Sequence, residues 1–151
     1  MSNDRDPRAL ALAYLQGQQV MTLATAADGD RWAAAVFYVA VGFDLHFLSA
    51  GHTRHARHMA SDPRVAATIQ ENYRDWSAIQ GIQLEGSVTL LAGEDAAAVQ
   101  DLYRARYPFI AGADPQLQRA LLRVSWYRLA PQRLYFIDNS QGLGHRDEIP
   151  L

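Results

Sequence analysis

Apolar residues in this chain recur mostly in short alternating runs, interrupted by a few stretches with helical spacing. Gly81–Leu91 alternates most cleanly, with Ile82, Leu84, Val88 and Leu90 on one face and Gln83, Glu85, Ser87 and Thr89 on the other. That pattern predicts a strand with one side wet, or turned to a polar ligand or partner. Val20–Ala26 and Arg31–Val39 are β-like runs joined through Asp28-Gly29, a strong hairpin signal. A turn at Gly42 leads into Leu45–Leu48, so three antiparallel strands are expected in a meander. Val65–Ile69, Val124–Leu129 and Leu134–Ile137 complete the strands, the last two separated by Ala130-Pro131.

Helical spacing marks Arg8–Gln16, opened by Asp6-Pro7, and Glu94–Arg106, with Ala96, Val99, Leu102 and Tyr103 as its apolar stripe. A short helix is expected over Pro115–Leu122, with loops over Asn72–Ser77 and Tyr107–Asp114. Many short strands with a few inserted helices indicate a mainly β, α+β chain. The expected form is an antiparallel barrel with peripheral helices, one domain over residues 1–151.

Composition narrows the chemistry. The chain is 49% hydrophobic and 20% charged, an ordinary globular balance. A formal net charge of −2 argues against a dedicated nucleic-acid binder, and no apolar run is long enough to span a bilayer. The N-terminus lacks a signal-peptide core, so a cytoplasmic setting is expected. Without cysteine there is no thiolate metal site and no cysteine nucleophile. Neither a G-x-S-x-G elbow nor an H-E-x-x-H motif is present.

The most informative stretch is Leu45–Ile69, LHFLSAGHTRHARHMASDPRVAATI. A strand runs into small residues, Thr53 caps a helix Arg54–Ala60, and Asp62-Pro63 stops it. Ser49, Thr53, Arg54 and His55 gather hydroxyls, a guanidinium and an imidazole at a helix N-terminus, chemistry suited to a phosphate. An ordinary capped strand-to-helix connection would carry the same residues. His52, His55 and His58 recur every third residue, but no carboxylate falls in register beside them and no metal site is expected. His58 reads as part of a solvated helix face.

This segment resembles the part of pyridoxamine 5′-phosphate oxidase-like split-barrel proteins that runs strand, Thr/Ser, Ser-Arg-Lys, helix, Asn-Pro-Arg-Val. Trp32 with Ala35, Phe37 and Tyr38, IQGIQLEG from Ile79, and FIDNSQGLG from Phe136 are similar to three further blocks of a small branch of that superfamily. The resemblance implies an antiparallel split β-barrel, a homodimer, FMN as cofactor, and a flavin-dependent oxidation or reduction of a small-molecule substrate. It puts Leu48, Ser49 and Arg54 at the flavin phosphate, beside the capping Thr53, and His55 where relatives carry lysine. It lays the ring along Ala35 and Val36, and makes Gln80, Gln83 and Asn139 further candidate contacts. The basic pair that relatives carry on the strand before is replaced here by AAAVFY from Ala33, which leaves FMN binding weaker, lost, or supplied with charge from other directions by Arg31, Arg57 or Arg146. The rival expectation is a non-catalytic module of the same fold that stores or senses flavin, haem or another planar ligand, with His46 or His52 as haem ligand.

Overall fold

The computed structural model describes residues 4–112 and 114–151. Among the described residues, eight strands form one antiparallel sheet: β1 (Val20–Ala27), β2 (Asp30–Phe37), β3 (Val39–Val41), β4 (Asp44–Ala50), β5 (Arg64–Gln70), β6 (Gln80–Leu91), β7 (Val124–Asp138) and β8 (Arg146–Glu148). Five helices accompany them among the same residues: α1 (Pro7–Gly17), α2 (Arg54–Ser61), α3 (Gly93–Arg106), α4 (Pro108–Ala111) and α5 (Pro115–Leu121). The spatial order is β2-β1-β5-β6-β7-β4-β3, with β8 added to β7. This is the expected α+β split barrel.

The meander is not what forms. β2 pairs only with β1 in the sheet order, whereas β3 and β4 lie at the opposite edge on β7. One residue, Tyr38, joins β2 to β3, so the sheet must curl until its two edges meet there. Tyr38 is buried and tied down by its N–H to the Gln19 carbonyl at 2.9 Å and its hydroxyl to the Leu15 carbonyl at 2.5 Å. The run expected over Arg31–Val39 is therefore cut at a corner.

The break expected at Ala130-Pro131 is also absent, because β7 runs unbroken through it. The register with β6 shifts between Glu85 and Gly86, so Glu85 faces Arg133 while Gly86 faces Pro131. A bulge is one of the few places where a sheet accepts a proline, which has no N–H for the ladder. Glycine is required opposite it: a Cβ on Gly86 would lie 2.2 Å from the Ala130 oxygen. The loop expected over Tyr107–Asp114 contains α4, started by Pro108, and the tail contributes the extra strand β8.

Period-two alternation sorts the strands into an inner and an outer face. Met21, Leu23, Leu45, Phe47, Ile69, Ile82, Leu84, Leu129 and Phe136 fill the interior, and Ala11 and Leu15 of α1 join them. Ala56 and Met59 bring α2 into the same core. Val39, Tyr103, Tyr107 and Ile110 form a second cluster under α3 and α4, with Trp126 packed against it. Leu90, expected inward, lies past this cover and is 63% exposed.

The outer face of β2, β1, β5 and β6 is exposed and built from small side chains. Its pairings give one row of Ala33, Ala24, Ala66 and Glu85, and a second of Ala35, Thr22, Thr68 and Gln83. Among the described residues no helix is long and apolar enough to cross a membrane.

Candidate functional site

Ser49 is the last inward-facing residue of β4 and is buried. The chain then turns through Gly51 and His52, and Thr53 caps α2 by accepting the Ala56 N–H at 3.2 Å. The cap brings the two hydroxyls together, Ser49 Oγ lying 3.0 Å from Thr53 Oγ1. One residue into the helix, His55 turns its Nε2 back to within 2.7 Å of Ser49 Oγ and 3.4 Å of Thr53 Oγ1. Three polar atoms, from the end of β4, the cap and the first turn of α2, thus meet at one point. Both hydroxyls also lie within reach of the Ala50 carbonyl, at 3.2 and 3.0 Å, which holds them against the strand end.

Arg57 donates to the Thr53 carbonyl, the first bond of the helix, so the N–H groups of Arg54 and His55 precede the intrahelical ladder. Burial pulls His55 below the usual imidazole range, and the neighbouring His58 adds to that shift. A neutral His55 accepts from the Ser49 hydroxyl or donates to it, according to which ring nitrogen carries the proton. A protonated one would donate to an anion placed beside it, with both hydroxyls free to rotate toward the same anion.

Arg54 is directed elsewhere. Its Nε donates to Asp30 Oδ2 at 2.9 Å and its Nη2 donates to Asp30 Oδ1, a two-point ion pair. The guanidinium carbon lies 4.3 Å from the centre of the Trp32 ring. The Asp28-Gly29 turn, with φ of 52° and 80°, is the left-handed pair a two-residue hairpin needs, and it sets Asp30 at the start of β2 opposite α2. His58 is not on a solvated face. It is buried between Asp30 Oδ2, 2.8 Å from its Nε2, and Thr25 Oγ1, 2.9 Å from its Nδ1. Arg54, and after it His58, hold the Asp30 carboxyl far below the usual carboxylate range.

The remaining candidates divide between two places. Ala35 and Gln83 share one row of the outer sheet face, three strands apart. There Arg146 of β8 lies over the Tyr135 ring at 4.2 Å and reaches Gln83 Oε1 at 3.4 Å. Val36 packs against the main core and Leu48 against the second cluster. Gln80 is half-buried, and its carbonyl accepts from the Tyr14 hydroxyl at 3.1 Å. Asn139 is buried and braces the tail, its Nδ2 donating to Trp76 O at 2.8 Å and its Oδ1 accepting the Gly144 N–H at 3.0 Å. His52 is exposed in the turn before α2. His46 is buried in β4, and its Nδ1 has no hydrogen-bond partner.

Thr25, Asp30 and the buried role of His58 carry no local signal in the sequence. Their contacts join positions 24 to 33 residues apart and exist only once the hairpin lies against α2.

Comparison with known proteins agrees with this architecture. A UPF0306 protein of Yersinia pseudotuberculosis is 35% identical over 111 residues, covering 70% of this chain and 74% of that protein. A haem binding protein from Mycobacterium smegmatis superposes with a TM-score of 0.78 at 23% identity, over 95% of this chain and 57% of that one. An FAD-binding protein from Mesorhizobium loti superposes with a TM-score of 0.67 at 16% identity, over 85% of this chain and 91% of that one. At such identities the superpositions speak for the fold. The family model described as pyridoxamine 5′-phosphate oxidase matches residues 8–138, and the chain belongs to that family.

Proposed function

We propose that the protein binds FMN as a homodimer and is a flavin-dependent oxidoreductase acting on a small-molecule substrate. The observation that carries this reading is the meeting of Ser49, Thr53 and His55 at the start of α2. Two hydroxyls and an imidazole within 3.4 Å of one another, on a helix N-terminus with Arg54 beside them, fit the donor set a phosphate needs. When bound, the flavin supplies the electron transfer. The chain's part is to anchor the phosphate, to keep the ring against a sheet face of small side chains, and to shield it from water. Ala35 and Gln83 offer that face, and Arg146 a cation beside it.

The outer sheet face also supports the dimer. A surface four strands wide, with Ala24, Ala33 and Ala66 across it and Val20 and Phe37 exposed at 41% and 42%, offers small and apolar side chains to a second copy.

The test is to titrate the purified protein with FMN and with riboflavin by fluorescence quenching. FMN should bind more tightly, because only the phosphate reaches the α2 cluster. Equal affinities would reduce that cluster to a helix cap. The second reading, a non-catalytic module that holds haem, is favoured by the partnerless, buried Nδ1 of His46. Under it, haemin titration would give a Soret band that His46→Ala abolishes.

A further inference from the structure

We propose that Asp30 is a built-in anion that competes with the incoming phosphate for Arg54, and so sets how strongly this chain prefers phosphorylated flavin over riboflavin. The inference rests on the FMN reading above and concerns the regulation of that same site.

Several observations converge on it. Arg54 follows the cap residue Thr53, so its backbone belongs to the phosphate cluster while its side chain is spent on Asp30. A guanidinium matches one carboxylate or one phosphate edge at a time in this two-point geometry. The pair is accessible to water, its side chains being 38% and 48% exposed, so a dissolved anion can reach it. It lines a cleft of about 270 Å³ shared with Arg57, His58, Asp28 and Ser61. Two arginines and two aspartates line it, and Asp30 already holds one of those two cations, Arg54.

Asp30 can yield without being orphaned, and this makes the exchange feasible. His58 Nε2 holds Oδ2 independently of Arg54, and Thr25 fixes the far side of that imidazole. The hairpin turn keeps Asp30 in place whichever partner Arg54 takes. Trp32 meanwhile supports the guanidinium on one face, limiting it to a swing across the ring. The carboxylate is thus a resident ligand of an anion site, displaced by a better one.

The experiment compares wild type, Asp30→Asn, and Asp30→Asn with Arg54→Ala, each titrated with FMN, riboflavin and inorganic phosphate. Removing the competing charge should tighten FMN by about two- to fivefold, the scale of an exposed ion pair. Riboflavin should not change, and the double variant should lose the gain. A purely structural role for Asp30 would shift both flavins together, which overturns the proposal. So does unchanged or weaker FMN binding in Asp30→Asn when wild type prefers FMN, and in that outcome the flavin reading survives. Should wild type show no preference for FMN, the flavin reading fails instead, and phosphorus NMR with inorganic phosphate decides the role of Asp30. Tighter phosphate binding in Asp30→Asn supports it, and no phosphate binding to either protein refutes it. If Asp30→Asn does not fold, Asp30→Ser carries the same comparison.

Discussion

Ser49→Ala gives the most direct test of the α2 cluster. Ser49 is only 4% exposed, so the substitution removes one oxygen from a closed environment and adds nothing. Three contacts go with it: the 2.7 Å bond to His55, the 3.0 Å bond to Thr53 and the 3.2 Å bond to the Ala50 carbonyl. Thr53 remains within 3.4 Å of His55 Nε2, so the imidazole is not left alone. The folding cost should therefore be that of one neutral hydrogen bond, about 1 kcal/mol. Toward FMN the loss is larger, because the missing hydroxyl would donate to a charged group, worth about 1.5–3 kcal/mol. That converts to a Kd for FMN roughly ten- to hundredfold weaker. Riboflavin, lacking the phosphate, should bind as before. The assay is a pair of flavin quenching titrations beside a urea melt of each protein. Equal losses for FMN and riboflavin would mean that Ser49 shapes the site without touching phosphate. An unchanged FMN affinity in a folded variant would refute the cluster as the anchor.

Three further expectations follow from particular contacts. His46 and His55 are pulled below the usual imidazole value of 6.5 mainly by burial, so between their folded values and that value the unfolded chain holds more protons. Stability should then be full above about pH 6.5 and fall as the pH drops toward 5. Urea melts at the two ends check this, and His46→Leu should flatten the slope. Gly86→Ala would force a Cβ to within 2.2 Å of the Ala130 oxygen and 2.8 Å of the Pro131 Cα, both backbone atoms. It should cost about 1–3 kcal/mol or more in a thermal or urea melt, and a neutral result would mean that the bulge is plastic. Ala66→Arg, at the middle of the outer face, should turn a dimer into a monomer by light scattering, and a wild-type monomer would dismiss that interface.

Much of this was legible because its causes are local. The Asp28-Gly29 turn, the Thr53 cap and the closeness of Ser49, Thr53 and His55 follow from residues a few positions apart. Strand faces followed from alternation, and Gly81–Leu91 kept its inward and outward faces except at its exposed end, although its pairing with β7 shifts at the Glu85/Gly86 bulge. What escaped depends on distant partners. Arg54 read as a free cation because Asp30 lies 24 residues earlier, and His58 read as solvated because Thr25 lies 33 residues away. Pro131 read as a break because its bulge partner Gly86 belongs to another strand. The split of β2 from β3 is a property of the closed sheet, and no run of residues near Tyr38 announces it.

The two-sided use of β7 has a consequence for how the protein is made. One edge of β7 pairs with β6, while the other takes β4 over Val124–Leu129 and β8 over Tyr135–Ile137. On a ribosome, then, the β3–β4 hairpin waits for β7: Leu45 cannot meet Leu129 until most of the chain has emerged. Until that moment β4 offers an unpaired edge, and Ser49 sits at the end of a strand with one neighbour. The strand that carries Ser49 thus gains its second neighbour late, and nascent chains stalled before residue 124 present open β edges. Such intermediates are where edge-to-edge association begins, so expression yield should fall steeply with truncations into β7.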